Sequence, residues 1–105
     1  MSPEEREYGA RLFGALASPG RLRIVERLAQ GPASVTEIAA ATALKQSMTS
    51  QHLATLLGAG VVVHERQGSA RIYSLRGPRI ARIVHLVEEF YDAHLAELRE
   101  LVERE

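Results

Sequence analysis

Apolar side chains recur along the first part of this chain at steps of three and four, the period of a helix with one buried face. Tyr8, Leu12, Ala15 and Leu16 make the first such stripe. Ser2-Pro3-Glu4-Glu5 ahead of it has the form of a helix start, with Ser as N-cap, Pro in the first turn and Glu three residues after the cap. Ser18-Pro19 stops that helix and caps the next, whose Leu22, Val25, Leu28 and Ala29 are expected to face the core before Gly31-Pro32 ends it. Ser34-Val35-Thr36-Glu37 is a second capping box and opens a short helix with Ile38 and Ala39 inward.

The pattern changes character over residues 43–63. Leu53, Leu56, Leu57 and Gly60 share one helical face. Ser47 and Gln51 point away from it, with Ser50 on the flank. These outward groups are short hydrogen-bonding side chains, where an ordinary solvated helix shows Glu and Lys. Residues 42–45 separate this helix from the one before, which is helix-turn-helix spacing. Gly58-Ala59-Gly60 supplies a stop, and a Val-rich run follows at once. Residues 61–67 and 70–75 then read as two strands around Gly68-Ser69, a tight hairpin. A helix showing small polar groups followed by a hairpin suits a recognition helix and a wing.

Gly77-Pro78 opens a last helix, expected to run unbroken for about 25 residues. Ile83, Val87, Phe90, His94, Leu98 and Leu101 share one face of it, and His85, Glu88, Glu89 and Asp92 lie opposite. So wide an apolar stripe exceeds what a four-helix core needs to cover, and such patches mark partner surfaces. Together with Tyr8 and Leu12 near the other end of the chain, it points to a symmetric homodimer.

The chain has 105 residues, enough for one small domain with a modest core that dimerisation would support. Its formal net charge is zero, which alone argues against nucleic acid, but the distribution reverses that reading. Residues 61–82 carry Arg66, Arg71, Arg76, Arg79 and Arg82 against Glu65 alone, while residues 83–105 are strongly acidic. DNA binding needs a local positive surface, not a positive average. No run approaches the roughly 18 apolar residues of a membrane span, and Met1-Ser2-Pro3-Glu4-Glu5 is no signal peptide, so the expected location is the cytoplasm. There is no cysteine, which excludes disulfides, thiolate metal sites and thiol switches in this chain. Catalysis has no foothold: there is no Gly-rich phosphate loop, the carboxylates sit on solvated faces, and the four histidines lack a nucleophile partner.

Four pieces taken in order resemble the ArsR/SmtB family of winged-helix repressors. They are LFGALASPGRLRIVERL at residues 12–28, SVTEIAAAT at 34–42, LKQSMTSQHLATLLGAGVV at 44–62, and a hairpin ending in RIYSL at 71–75. Arg21 after a Pro-Gly pair, the Gln46-Ser47-x-x-Ser50-x-His52-Leu53 string and the closing Tyr73 sit where the family has them. The resemblance implies a mainly α fold with a β-hairpin wing, the winged helix-turn-helix α-α-α-α-β-β-α, as a single domain dimeric through its first and last helices. It also implies a repressor that changes its affinity for a near-palindromic operator in double-stranded DNA when an effector binds. A rival reading is a winged-helix protein-interaction module that no longer reads DNA, or a regulator that needs no effector.

On the DNA reading, Gln46, Ser47, Ser50 and Gln51 face base edges or phosphates, since Gln pairs bidentately with adenine and Ser suits several bases. Gln51 stands where other members often carry Arg or His. Lys45 at the turn, and Arg66 and Arg71 in the wing, hold phosphates or reach the minor groove. His52 lies on the helix flank and has two expected roles, DNA contact or a hydrogen bond that fixes the turn. Relatives that bind thiophilic metals use cysteines, and this chain carries Val35-Thr36-Glu37-Ile38 where the third-helix site would be. Relatives that bind zinc, cobalt or nickel between paired last helices use an early Asp-x-His and a late His-x-x-Glu or His-x-x-His. His94-Leu95-Ala96-Glu97 matches the late half, but the early half falls on Ala81 and Ile83, which cannot bind metal. A nickel or zinc ion would therefore rest on His94 and Glu97, with Asp92 or His85 in support.

Overall fold

The computed structural model describes residues 1–104 as six helices and a three-stranded antiparallel sheet. Helix α1 (Pro3–Leu16) begins in a complete capping box, Ser2 Oγ accepting from the Glu5 amide while Glu5 accepts from the Ser2 amide. Helix α2 (Pro19–Leu28) is capped by Ser18, and α3 (Val35–Thr42) by a second capping box between Ser34 and Glu37. Each cap is the one its local sequence dictates, because Ser and Glu three residues apart satisfy helix N–H groups that would otherwise lack partners. Helix α4 (Gln46–Gly58) follows α3 after only three residues.

Strands β2 (Val62–Gln67) and β3 (Ala70–Leu75) form the hairpin, turning at Gly68, whose φ of 62° a side chain would resist. The sheet holds a third member, β1 (Ala33–Ser34), which pairs its Ala33 with Tyr73 and its Ser34 with Ile72 and makes the order β1-β3-β2. Two residues are too few to show a period, so the α-α-α-α-β-β-α pattern does not contain this strand.

Ile24, Val25, Ile38, Leu53, Leu56, Val61 and Val62 are completely buried and hold α2, α3, α4 and the foot of the hairpin together. On α2 the buried face is Gly20, Ile24, Val25 and Leu28. Leu22 is only partly covered, and Ala29 is exposed, against expectation. The helix ends at Leu28, so Ala29 is its cap and leaves the buried stripe.

The last helix is broken, not continuous. Helix α5 (Pro78–Ala93) stops at His94, whose backbone sits at φ −117°, ψ 15°, and α6 (Leu95–Glu103) starts immediately after. The His94 amide is shared between the Phe90 and Tyr91 carbonyls, and its ring Nδ1 also takes the Phe90 carbonyl at 3.0 Å. Its imidazole stacks on the Phe90 ring at 4.3 Å between centroids. A break made by a histidine carries no Gly or Pro signal, so the periodic pattern runs straight through it.

Candidate nucleic-acid interface

Helix α4 is sorted sharply into two faces. Thr49, Leu53 and Leu56 are buried, and Thr49 satisfies its hydroxyl on the Lys45 carbonyl at 3.0 Å. Gln46, Ser47, Ser50 and Gln51 are all exposed, as their angular positions predict. Met48, Ala54 and Thr55 are exposed too, the first two without a hydrogen-bonding group and Thr55 with its hydroxyl on the Gln51 carbonyl at 3.3 Å. The start of α4 is the one helix beginning of the first four without a side-chain cap, since Lys45 at its N-cap makes no such bond. Unpaired amides and the positive end of the helix dipole therefore meet solvent beside a lysine, which favours an anion.

His52 does not join the outward face. It is half-buried, and its Nδ1 lies 3.3 Å from an Arg21 terminal nitrogen on α2. Burial, and then the nearby Arg21 and Arg23 charges, hold its pKa below the ordinary histidine value. Its hydrogen bond ties α4 to α2, where the sequence led us to expect one that fixes the turn before α4.

In the wing, Arg66 and Arg71 stand directly opposite one another across the β2–β3 ladder, one pair below the Gln67–Ala70 pair that closes the turn. Both are exposed, and among the described residues neither makes a salt bridge or side-chain hydrogen bond. Like charges facing across a ladder destabilise it. Arg76, by contrast, is tied down at the hairpin's base, its Nε donating to the Gly60 carbonyl at 2.8 Å. His64 also faces its cross-strand partner Tyr73, the ring centroids 5.3 Å apart.

Away from this surface, Tyr8, Val87, Phe90 and Leu101 are exposed as large apolar groups, and Phe13, Leu86, Tyr91 and Val102 join them. Ile83 instead packs partly on the chain's own core, as does Leu12; Leu98 is half-covered. Phe13 lay outside the expected stripe because it is one step round α1 from Leu12.

His94 keeps Nδ1 on a backbone carbonyl, which leaves Nε2 as its free nitrogen. Glu97 follows in the first turn of α6. His85 points to Glu89 at 3.2 Å on an exposed face, and Asp92 is exposed. Within one chain, and among the described residues, no three such side chains gather into a ligand set. No helix of the described residues is long and apolar enough to cross a membrane.

Residues 18–63, from the cap of α2 to the first residues of β2, match the model of the bacterial regulatory protein, arsR family. The transcriptional regulator Rv2034 of Mycobacterium tuberculosis is 34% identical over 95 residues, covering 90% of this chain and 89% of that protein. The regulator Rv0324 of the same organism is 38% identical over 89 residues, 85% of this chain. This chain belongs to the ArsR family. The winged helix-turn-helix domain of Mb0332 from Mycobacterium bovis, described as homodimeric and DNA-binding, superposes with a TM-score of 0.80 at 34% identity, over 92% of this chain and 93% of that one. The winged helix-turn-helix fold thus extends over 92% of this chain. Rv0324 is a much longer protein, and the aligned part is only 39% of its length. These relatives are named as transcriptional regulators.

Proposed function

We propose that the protein is a homodimeric DNA-binding transcriptional repressor acting in the cytoplasm, with α4 in the major groove and the wing against the backbone. The observation that carries this is the Arg66–Arg71 pair: two cations held face to face, at a cost to the hairpin, with no carboxylate to offset them. A polyanion supplies what the fold withholds. The exposed Gln46, Ser47, Ser50 and Gln51 give α4 the donors and acceptors to read base edges, and Lys45 with the uncapped amides seats a phosphate at its start. The names of the relatives and the homodimeric state of the Mb0332 domain support the same reading. Two copies related by a two-fold axis would place their α4 helices one turn of DNA apart, about 34–36 Å, on a near-palindromic site.

The test is selection of duplexes from a random pool by the wild-type protein, followed by binding measured against salt. Gln51→Ala and Ser47→Ala should lose roughly 1–3 kcal/mol of discrimination each where a bidentate contact is lost. Arg66→Ala or Arg71→Ala should weaken all duplexes alike and lower the salt slope by about one unit. Failure to enrich any duplex would leave a protein-interaction module as the better description.

A second reading concerns the effector. We propose a nickel or zinc ion shared across the dimer axis by His94 Nε2 and Glu97 of each subunit. Metal-bound histidines usually donate their other ring nitrogen to a carbonyl or carboxylate, and the His94 Nδ1 contact to the Phe90 carbonyl has that form. Ala81 and Ile83 add no donor, so all four ligands would have to come from the two pairs. Calorimetry with each metal on wild type and His94→Ala decides it. Equal heats from both proteins, or none, would leave His94 as the residue that breaks the helix and the effector as something else.

A further inference from the structure

Arg21 connects three elements through one side chain. Its amide is capped by Ser18 Oγ at 3.3 Å, its Nε donates to the Ala15 carbonyl in the last turn of α1 at 2.6 Å, and a terminal nitrogen reaches His52 Nδ1 in α4 at 3.3 Å. Arginine only donates. Nδ1 must therefore accept, which fixes the imidazole as neutral with its proton on Nε2. The Nε2 edge lies over buried Gly20, so close that a Cβ there would come within 2.9 Å of it. The ring is thus gripped on both edges by α2, and through Arg21 it is tied to the end of α1. Helix α1 carries part of the exposed apolar surface, and α4 carries the outward polar face.

We propose that the Arg21–His52 contact is a positioning strut that sets the recognition helix relative to α1, and that protonation of His52 releases it and weakens DNA binding. This rests on the DNA-binding reading above. A protonated imidazole has no lone pair for Arg21 and adds a second cation 3.3 Å away. The charged groups acting on His52 are Arg21 and Arg23, both from α2; α1 contributes the backbone carbonyl that orients Arg21, and α4 contains no titratable residue besides His52. Burial and the neighbouring arginine charges lower the His52 pKa, so they favour the neutral ring that the strut needs and move its loss to lower pH than an ordinary histidine would give.

Binding of the full chain to a duplex selected at pH 8 is measured by anisotropy from pH 8 to 5.5 at constant ionic strength. His52→Asn keeps an acceptor for Arg21, its Oδ1 standing where Nδ1 stands, but cannot titrate. The wild-type dissociation constant should rise on acidification, by up to about tenfold per pH unit for each proton taken up. His52→Asn should keep the pH 8 affinity within about threefold and lose that part of the rise. His52→Ala should bind more weakly than wild type at pH 8, and the difference should close as the wild type is acidified. The same pH profile in wild type and His52→Asn would overturn the strut while leaving DNA binding intact; failure to select a duplex would overturn both. A second readout needs no variant: by linkage, the His52 ring resonances of the wild-type protein must titrate at lower pH in the DNA complex than in the free protein, and an unchanged or raised midpoint rejects the proposal.

Discussion

At the scale of single residues, the turn between α3 and α4 depends on Ala43, the one non-glycine with positive φ among the described residues, at 58°. Its amide and that of Leu44 both go to the Ala39 carbonyl, which closes α3 and swings the chain into α4. A left-handed alanine costs roughly 1–2 kcal/mol against the helical alternative, and glycine adopts the same angles freely. Nothing is packed into this position, as Ala43 is exposed. Ala43→Gly should therefore raise stability, by about 1 kcal/mol after glycine's extra chain entropy is counted, and the melting temperature of a domain this size by about 4–8 °C. A lower melting temperature would mean that the turn is not strained there. This turn was legible in the sequence only as a gap between two apolar periods, because the residue that makes it is neither Gly nor Asn. His52 was legible as a flank residue, but its partner lies 31 positions away in sequence and emerges only from the packing of α2 on α4.

At the scale of elements, local sequence placed the caps of α1, α2 and α3, the outward face of α4 and the hairpin around Gly68. These depend on neighbours within a few residues, which a sequence displays. The two-residue β1 and the break at His94 were not visible, since one exists only through pairing with β3 and the other through an imidazole on the Phe90 carbonyl. The wing shows what register adds to sequence. Arg66 and Arg71 are read from the chain as two basic residues, and only the ladder reveals that they oppose each other. Replacing one by an acid turns a repulsive cross-strand pair into an attractive one, an effect of roughly 0.2–1 kcal/mol per pair relative to Ala–Ala. Arg71→Glu should therefore stabilise the free protein in a urea melt while sharply weakening its binding to the selected duplex. Loss of stability, or unchanged binding, would show that the wing cations serve the fold and not a polyanion.

At the scale of the whole molecule, the chain segregates its surfaces. The outward face of α4 and the wing carry hydrogen-bonding groups and cations, and α1, α5 and α6 carry the large exposed apolar groups, with Phe13, Val87, Phe90 and Leu101 each about 60% exposed. That second surface was legible as a stripe too wide for one small core, although Ile83, expected within it, turned out to be spent partly on the chain's own packing. The shape is elongated, 52 × 36 × 22 Å, as expected when helices stand clear of the core they belong to. An apolar face of this kind left in water is a site of association, and on the proposed function two-fold pairing of such a face with itself would set the spacing of two α4 helices on DNA. Phe90→Asp separates the two roles of the surface. Because Phe90 is 61% exposed in the single chain, the charge should leave the helical content and the core intact. In a symmetric interface it enters twice and must be desolvated without a partner. Sedimentation should then report a folded monomer, and binding to a two-half-site duplex should fall to the affinity of a single half-site, since the second contact is no longer made at high effective concentration. A folded Phe90→Asp protein that remains a dimer would place the interface elsewhere and remove the geometric basis for a palindromic operator.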